Sequence, residues 1–300
     1  MRGTVPPVIP TAAEVRRADP EALRRRLAED LGVDFESVFL TTGASQANAL
    51  SALFLARRRR GNGPGRLRVC FPEYPPLYDG AREAGFRLSP SAGVVDLAVT
   101  SQPRNPEGDL WDTSRLLDWA SGARYLLVDE TFREFAETRS VVRTGRPGLF
   151  ATGSFTKFYG GDDLRLGFVA VPEELIDEFG RFYGVVTNEL APFSVAGAAK
   201  ALDLRPKLRS VVRTVLRTNR AALRRRWPRI PAPRAPLVFD RPETGENGDS
   251  LALRAVRASV LVCSGSFFGD PRGVRICLTR RSFPEDLDAY LRVRDGPKAA

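Results

Sequence analysis

Histidine is absent from the 300-residue chain. Because histidine is the usual general base at neutral pH and a frequent metal ligand, its absence excludes histidine-based catalytic triads and histidine metal sites. Any chemistry performed by this protein must therefore use lysine, carboxylates, tyrosine, arginine or a cofactor.

Cysteine and long apolar segments are also scarce. Cys70, Cys263 and Cys277 are widely spaced and form no CxxC pattern, so we expect reduced, mostly buried thiols and no metal site. No apolar run approaches the ~20 residues needed to span a bilayer. The first 15 residues contain tandem prolines and no apolar core, which is not typical of a secretory signal. We expect a cytoplasmic protein.

The chain is strongly basic, with a formal net charge of +10. Such a charge can indicate nucleic-acid binding. The arginine clusters at 24–26, 57–60 and 224–226 lie on or beside helical patterns, however, which favours solvated helix faces. A non-catalytic, arginine-rich nucleic-acid-binding protein remains the alternative, although we expect no nucleic-acid or membrane partner.

Lysine is the rarer cation, since only four of the 46 lysine and arginine residues are lysines. Lys157 lies in the segment GSFTKFYGGDDLRLGF, which follows an apolar, strand-like stretch at 149–153. Unlike arginine, a lysine can lose its proton in a desolvated pocket and form a Schiff base with an aldehyde. The alternative is a surface loop after a strand.

This segment resembles the cofactor-lysine segment of the fold-type I pyridoxal-phosphate (PLP) enzymes, the aminotransferase class I/II family. The resemblance implies that Lys157 forms a Schiff base with pyridoxal 5′-phosphate. It also implies that Ser154, three residues before the lysine, and Arg165, eight residues after it, hold the cofactor phosphate.

A second phosphate-binding segment is predicted near the N-terminus. A strand at 38–42 runs into Gly43 and then into a helix at 47–57, and this arrangement is a generic anion site. The string TGASQANAL resembles the family's phosphate turn, which implies that Ala44, Ser45 and Gln46 contact the phosphate. An ordinary strand–helix turn fits the same pattern.

Two further motifs follow predicted strands at 68–71 and 95–100. The segment PEYPP resembles the family's P-x-Y segment, which implies that Tyr74 stacks on the pyridine ring. The segment RNPEG resembles the N-P-x-G turn, which implies that Asn105 donates to the phenolic oxygen of the cofactor. Both segments also fit ordinary proline turns.

An aspartate ends the predicted buried strand at 124–128, and doubly wound sheets place ligand groups at such a position. By the resemblance, Asp129 pairs with the pyridinium nitrogen, and Lys157, Asp129 and Tyr74 are the catalytic residues. Phe132 stands where many relatives have tyrosine. This feature is similar to the histidinol-phosphate aminotransferase and threonine-phosphate decarboxylase branch. A turn or helix-cap role is the alternative for Asp129.

Arg275 lies inside the apolar string GVRICL. A buried arginine is costly unless it meets an anion. The resemblance implies that it binds the substrate α-carboxylate with its two-pronged guanidinium. The alternative is an edge-strand arginine that faces water.

Local patterns predict several other elements. Helices are expected at 20–31 with Asp19 as N-cap, at 116–120 with Ser114 as a candidate cap, at 252–258, and at 196–227 with an interruption at Pro206. Strands are expected at 167–171, 236–239, 260–263 and 274–278.

The predicted fold class is α/β, of PLP-dependent transferase fold type I. It has a three-layer large domain with a mostly parallel sheet, at 30–195, and a small α/β C-terminal domain. The small domain would comprise 196–300 with 1–29 and include the interdomain helix.

The implied function is transfer of an amino group between an amino acid and a 2-oxo acid, in a homodimer. The alternative is a decarboxylase of a phosphorylated amino acid. No tyrosine precedes Tyr74, so a family contact from a partner-subunit tyrosine is absent or replaced. The side-chain specificity is left open.

Overall fold

The computed structural model describes residues 4–59, 63–89, 93–242 and 245–296. The helices are α1 (Ala12–Arg16), α2 (Pro20–Leu31), α3 (Ala44–Arg57), α4 (Pro75–Glu83), α5 (Thr113–Trp119), α6 (Arg133–Ala136), α7 (Ile176–Val186), α8 (Pro192–Asp203), α9 (Arg205–Arg226), α10 (Gly248–Arg257) and α11 (Phe283–Asp295). The strands are β1 (Val38–Thr41), β2 (Gly65–Val69), β3 (Phe86–Leu88), β4 (Val95–Ser101), β5 (Ala123–Asp129), β6 (Leu149–Ser154), β7 (Gly167–Ala170), β8 (Leu237–Asp240), β9 (Cys263–Ser264) and β10 (Val274–Cys277).

The larger sheet has seven strands in the order β1-β7-β6-β5-β4-β2-β3. The pairings among β3, β2, β4, β5 and β6 are parallel, whereas β7 is antiparallel to both β6 and β1. This is the mostly parallel sheet that the sequence predicts.

Both faces of the larger sheet are covered. Along β5, Tyr125 and Leu127 pack into a core shared with α3, α4 and α7, while Leu126 and Val128 pack into a core shared with α5. Successive strand residues point to opposite faces, so a strand buried on both sides is apolar throughout. The result is the predicted three-layer architecture.

The smaller sheet is antiparallel, in the order β8-β10-β9. A third core joins it to α9, α10 and α11 and to the edge of the larger sheet. Asn219 of α9 is buried and donates to the carbonyls of Leu278 (2.8 Å) and Arg280 (2.7 Å), which fixes the end of β10 against the long helix. The domain boundaries at 30–195 and 196–300 stay a prediction, and residues 297–300 lie outside the described part.

Several local predictions are wrong. Asp112, not Ser114, caps α5, because its carboxylate accepts from the Arg115 N–H at 2.8 Å. The expected strand at 260–263 is reduced to Cys263–Ser264, and β2 ends at Val69 before the predicted 71. The sequence reasoning also missed α4, α11 and the edge strand β3.

The expectation of mostly buried thiols is also wrong. All three cysteines are free, but Cys277 is exposed, and Cys70 and Cys263 are half-buried. Within the described ranges, no helix combines the length and the apolar character needed to cross a membrane.

The arginine clusters are only partly solvated. Arg25, Arg57, Arg224 and Arg225 are exposed on their helices. Arg24 instead donates to the Val38 carbonyl at 2.6 Å, Arg26 pairs with Asp203 at 2.7 Å, and Arg60 lies outside the described residues.

Candidate active site

A cavity of about 560 Å³ lies between the larger sheet and the smaller one. Its lining includes nine of the ten residues that the sequence predicts for the site. They are Ala44, Ser45, Tyr74, Asn105, Asp129, Ser154, Lys157, Arg165 and Arg275. Residues as far apart along the chain as Ser45 and Arg275, 230 positions, thus line the same cavity.

Lys157 reaches the cavity because its neighbours in the loop are anchored in the core. Phe155 and Phe158 are each 1% exposed and hold the loop after β6, whereas Lys157 between them is exposed. A hydrogen bond from the Gly161 N–H to the Phe155 carbonyl (3.1 Å) closes the turn. The loop therefore presents a primary amine to the cavity from a fixed backbone.

Asp129 is buried at the end of β5. One carboxylate oxygen accepts from the Thr131 N–H at 2.9 Å, and the other accepts from the Asn48 side-chain amide at 3.2 Å. Asn48 is oriented in turn by the Thr152 hydroxyl, which donates to its amide oxygen at 2.6 Å. Burial raises the pKa of Asp129, and these donors and the Lys157 charge oppose that rise. A cationic ligand would keep this carboxylate ionised.

Asn48 is a site-supporting residue that the sequence reasoning missed. It lies inside the TGASQANAL string, whose first residues resemble a phosphate turn. Its partner, Asp129, is 81 positions away in sequence. An asparagine in the middle of an alanine-rich helix that packs on a sheet was the available signal, because a buried amide needs partners.

The start of α3 forms an anion cradle with β7. Gly43 precedes the helix with φ 123°, and no side chain caps the free N–H groups of the first turn. A Cβ at Gly167 would lie 2.5 Å from the Gly43 carbonyl carbon and 2.7 Å from the Ala44 nitrogen. Glycine at 167 therefore allows the strand and the helix terminus to approach, and helix N-termini favour anions.

Arg165 and Ser154 complete this end of the cavity. The Arg165 guanidinium donates to the Thr42 carbonyl at 3.3 Å, which places its positive charge beside the cradle. Gln46 does not line the cavity. Its side-chain oxygen instead accepts from the Thr42 N–H at 2.7 Å, which stabilises the turn between β1 and α3.

Arg275 lies on β10, the central strand of the smaller sheet, so the edge-strand alternative is wrong. Its guanidinium donates to the Asn105 side-chain oxygen at 3.0 Å and packs over the Phe268 ring, 4.8 Å from the centroid. Its buried Nε has no partner among the described residues. Part of the guanidinium therefore stays available to an anion in the cavity.

Tyr74 lies at the start of α4, with its ring near Phe267 and a centroid distance of 6.2 Å. Burial, and next the Asp129 charge, raise the pKa of Tyr74, while Arg275 and a hydrogen bond with Ser45 oppose the rise. The phenol therefore stays protonated at neutral pH.

Glu73 and Arg104, which the sequence reasoning missed, form an ion pair that is fully buried (0% exposed each) beside Tyr74 and Asn105. The Glu73 carboxylate accepts from the backbone N–H groups of Tyr74 and Ser101, both at 2.7 Å. The Ser101 hydroxyl accepts from the Asn105 N–H at 2.8 Å. The pair thus fixes the backbones of two cavity residues.

Comparison with known proteins identifies a family for this chain. The family model "Aminotransferase class I and II" matches residues 12–283. A threonine-phosphate decarboxylase from Pseudomonas aeruginosa is 31% identical over 54% of this chain and 49% of the relative. An aspartate aminotransferase from Thermococcus kodakarensis is 29% identical over 64% of this chain and 55% of the relative. The matched part spans about half the length of these curated relatives.

Solved structures show the same fold. An aspartate aminotransferase from Thermus thermophilus, solved as a mutant, superposes with a TM-score of 0.79 at 19% identity and covers 95% of this chain and 93% of the other. The predicted fold type I is confirmed. With the family model matching most of its length, the chain belongs to the aminotransferase class I and II family.

Proposed function

We propose that this protein is a PLP-dependent aminotransferase that moves an amino group between an amino acid and a 2-oxo acid. The single observation that carries the proposal is the shared cavity. It is lined by an amine (Lys157), a buried carboxylate (Asp129) and a guanidinium (Arg275) with one donor unpaired within the described part of the chain. Transamination needs these groups to hold the cofactor, tune it and orient the substrate.

Pyridoxal 5′-phosphate is the cofactor of this family, and the cavity has features that fit it. The cradle at Gly43 and Gly167, which a Cβ would fill, suits a phosphate together with Arg165. The buried Asp129 carboxylate, whose pKa burial raises, suits a protonated ring nitrogen. The exposed Lys157 amine suits an aldehyde.

The residues have distinct tasks in this proposal. When bound, the cofactor withdraws electrons from the substrate Cα. Lys157 would hold the cofactor covalently through its Nζ. As a free amine, the same Nζ would take the proton from the substrate Cα and return a proton in the second half of the exchange. Asp129 keeps the ring nitrogen charged through the network with Asn48.

Arg275 orients the substrate. Because Nη1 already donates to Asn105, the remaining donors are directed to the α-carboxylate, and the cation–π contact with Phe268 restricts the swing of the side chain. A fixed carboxylate fixes the direction of the Cα–H bond, which determines which bond is broken.

The test compares Lys157→Ala with Lys200→Ala. Lys200 is a matched control because it pairs with Glu14 at 3.0 Å and does not line the cavity. The wild type and the control should be yellow, lose that colour with borohydride, and form 2-oxo acid from an amino acid and a 2-oxo acid acceptor. Lys157→Ala should lose the covalent absorbance and at least about 100-fold in rate. Equal activity of the two variants would contradict the proposal.

Decarboxylation of a phosphorylated amino acid is the second candidate, supported by the threonine-phosphate decarboxylase relative. Both reactions use the same lysine and differ in which Cα bond breaks. Release of carbon dioxide without formation of 2-oxo acid, measured in the same incubations, would replace our proposal by this one.

We further propose that the active form is a homodimer. The exposed apolar side chains of Val185, Val186 and Phe193 flank the connection between α7 and α8 and offer a surface for a second copy. Light scattering of the active enzyme should give twice the monomer mass, and a fully active monomer would exclude the dimer.

A further inference from the structure

Few charged residues line the cavity, and each has a role in the proposed reaction. Among the described residues that line it, the charged ones are Asp129, Lys157, Arg165 and Arg275. If the proposed function is correct, the first three serve the ring nitrogen, the aldehyde and the phosphate of the cofactor. Arg275 serves the substrate α-carboxylate, so no cation in this set remains for a second anion on the substrate.

The wall beside Arg275 is uncharged. Cys263 is directly opposite Arg275 across the β9–β10 pairing, and Cys277 is two residues further along β10 on the same face. Leu237 is opposite Cys277 on β8. All three line the cavity together with Phe267, Pro236 and Thr279, so mainly apolar groups and thiols, with one hydroxyl, line the space next to the carboxylate site.

The arginines that flank the strands of the smaller sheet do not add a positive charge to the cavity. Arg241 pairs with Asp270 at 2.7 Å, and Arg272 pairs with the same carboxylate at 3.0 Å. Arg280, just after β10, is largely exposed and lies 3.9 Å from Asp286. None of the three lines the cavity.

We infer that the amino-acid substrate of this protein has an uncharged, mainly apolar side chain, and that phosphorylated and dicarboxylic amino acids are poor substrates. A phosphate or a second carboxylate that enters this space would lose water without gaining a charged hydrogen-bond donor, which is strongly unfavourable. A branched or aromatic side chain would instead bury apolar surface against Leu237 and Phe267. This inference rests on the proposed transamination site.

The test uses the loaded full-length enzyme and one half-reaction, so that no second substrate is needed. Amino acids are supplied in matched pairs that differ in charge: threonine and O-phosphothreonine, asparagine and aspartate, glutamine and glutamate, with leucine and phenylalanine as apolar references. The decay of the cofactor's visible band gives kcat/KM for each. We expect each charged member to react at least about 100-fold more slowly than its neutral partner, and leucine or phenylalanine to react fastest.

Binding without turnover provides a second measurement. Calorimetry with 4-methylpentanoate and with glutarate, neither of which has an amine, should give the tighter dissociation constant for 4-methylpentanoate. Tighter glutarate binding, or a charged amino acid that reacts as fast as its neutral partner, would overturn the inference while leaving transamination intact. If the yellow enzyme reacts with no amino acid in the set, the proposed function itself fails.

A gain-of-charge variant tests the same wall directly. Cys277→Arg adds a guanidinium at an exposed cavity position beside Arg275, and Cys277→Ser changes the same position without charge. The ratio of the aspartate rate to the asparagine rate should rise at least about 10-fold in the arginine variant and stay unchanged in the serine variant. An unchanged ratio in both variants would show that this wall does not select against the second charge.

Discussion

The buried Glu73–Arg104 pair allows a quantitative test. The Arg104 guanidinium donates to Glu73 (3.1 Å), to the Thr100 hydroxyl (2.6 Å) and to the carbonyls of Cys70 (2.6 Å) and Pro72 (3.0 Å). Arg104→Met keeps an unbranched apolar stem but removes every one of these donors. Burial already raises the pKa of Glu73 to about 7 against the Arg104 charge, so without Arg104 this carboxyl group must either stay charged and unpaired or take up a proton, in a site that water does not reach.

The magnitude follows from the burial of both partners. Removal of one partner of a fully buried pair destabilises a protein by about 3–5 kcal/mol. For 300 residues, an unfolding entropy of about 2.1 cal/mol/K per residue converts this loss into a fall in Tm of about 5–8 °C. Thermal unfolding by circular dichroism of the cofactor-free protein measures it.

A double variant and an exposed control separate the pair from general damage. Glu73→Gln with Arg104→Met removes both charges and should recover at least half of the lost Tm, because two neutral groups need no counter-charge. Arg213→Met breaks a solvent-exposed pair with Glu137 and should shift Tm by less than about 2 °C. Additive losses in the double variant would refute the idea that the two charges stabilise each other.

Two further substitutions test the cofactor end of the cavity. Asp129→Asn keeps the shape of the side chain, and the Asn48 amide can rotate to donate to Thr152 instead, so the cofactor-free variant should be more stable than the wild type at neutral pH. Because burial raises the Asp129 pKa above its ordinary 3.8, the folded state disfavours the charged form. The wild type should therefore lose stability relative to the variant as pH rises above about 4, in unfolding curves collected across pH, and the gap should close at lower pH. The same variant should bind pyridoxal 5′-phosphate more weakly, and equal affinity in absorbance titrations would contradict the role of this carboxylate. Gly167→Ala should weaken cofactor binding at least about 10-fold, since its Cβ would meet the Gly43 backbone at 2.5 Å. Gly184→Ala, in open space on α7, should leave the affinity unchanged, and a similar loss in both variants would point to global damage.

The sequence predicted best the elements whose causes are local. Helix α2 has its predicted bounds, Pro20–Leu31, because Asp19 accepts from the N–H groups of Glu21 and Ala22 and Pro20 fills the first helical position. The helical segment that ends near 226 is broken at Leu204, close to the expected Pro206, which lies in the first turn of α9.

Wrong predictions arose where local candidates compete or where partners are distant. In the string WDTS, both Asp112 and Ser114 are acceptable caps, and the hydroxyl of Ser114 donates to the aspartate instead of capping. Arg104 and Glu73 are 31 positions apart in sequence, and each lies in a motif that resembles a simple proline turn. Periodicity carries no information about such pairs.

The grouping of the predicted site residues at one cavity follows from sheet direction, which brings separate motifs to one edge. Strands β4, β5 and β6 are neighbours and parallel, so the residues at or after their carboxyl ends, Asn105, Asp129 and Lys157, lie at the same edge. Strand β7 is antiparallel to β6, so Arg165, which precedes β7, returns to that edge. Strand β1 is antiparallel to β7, and Gly43, which follows β1, therefore meets Arg165 there. Each motif alone fits an ordinary turn. A chain that alternates strands and helices in this order, however, brings all of these turns to the same edge of the sheet.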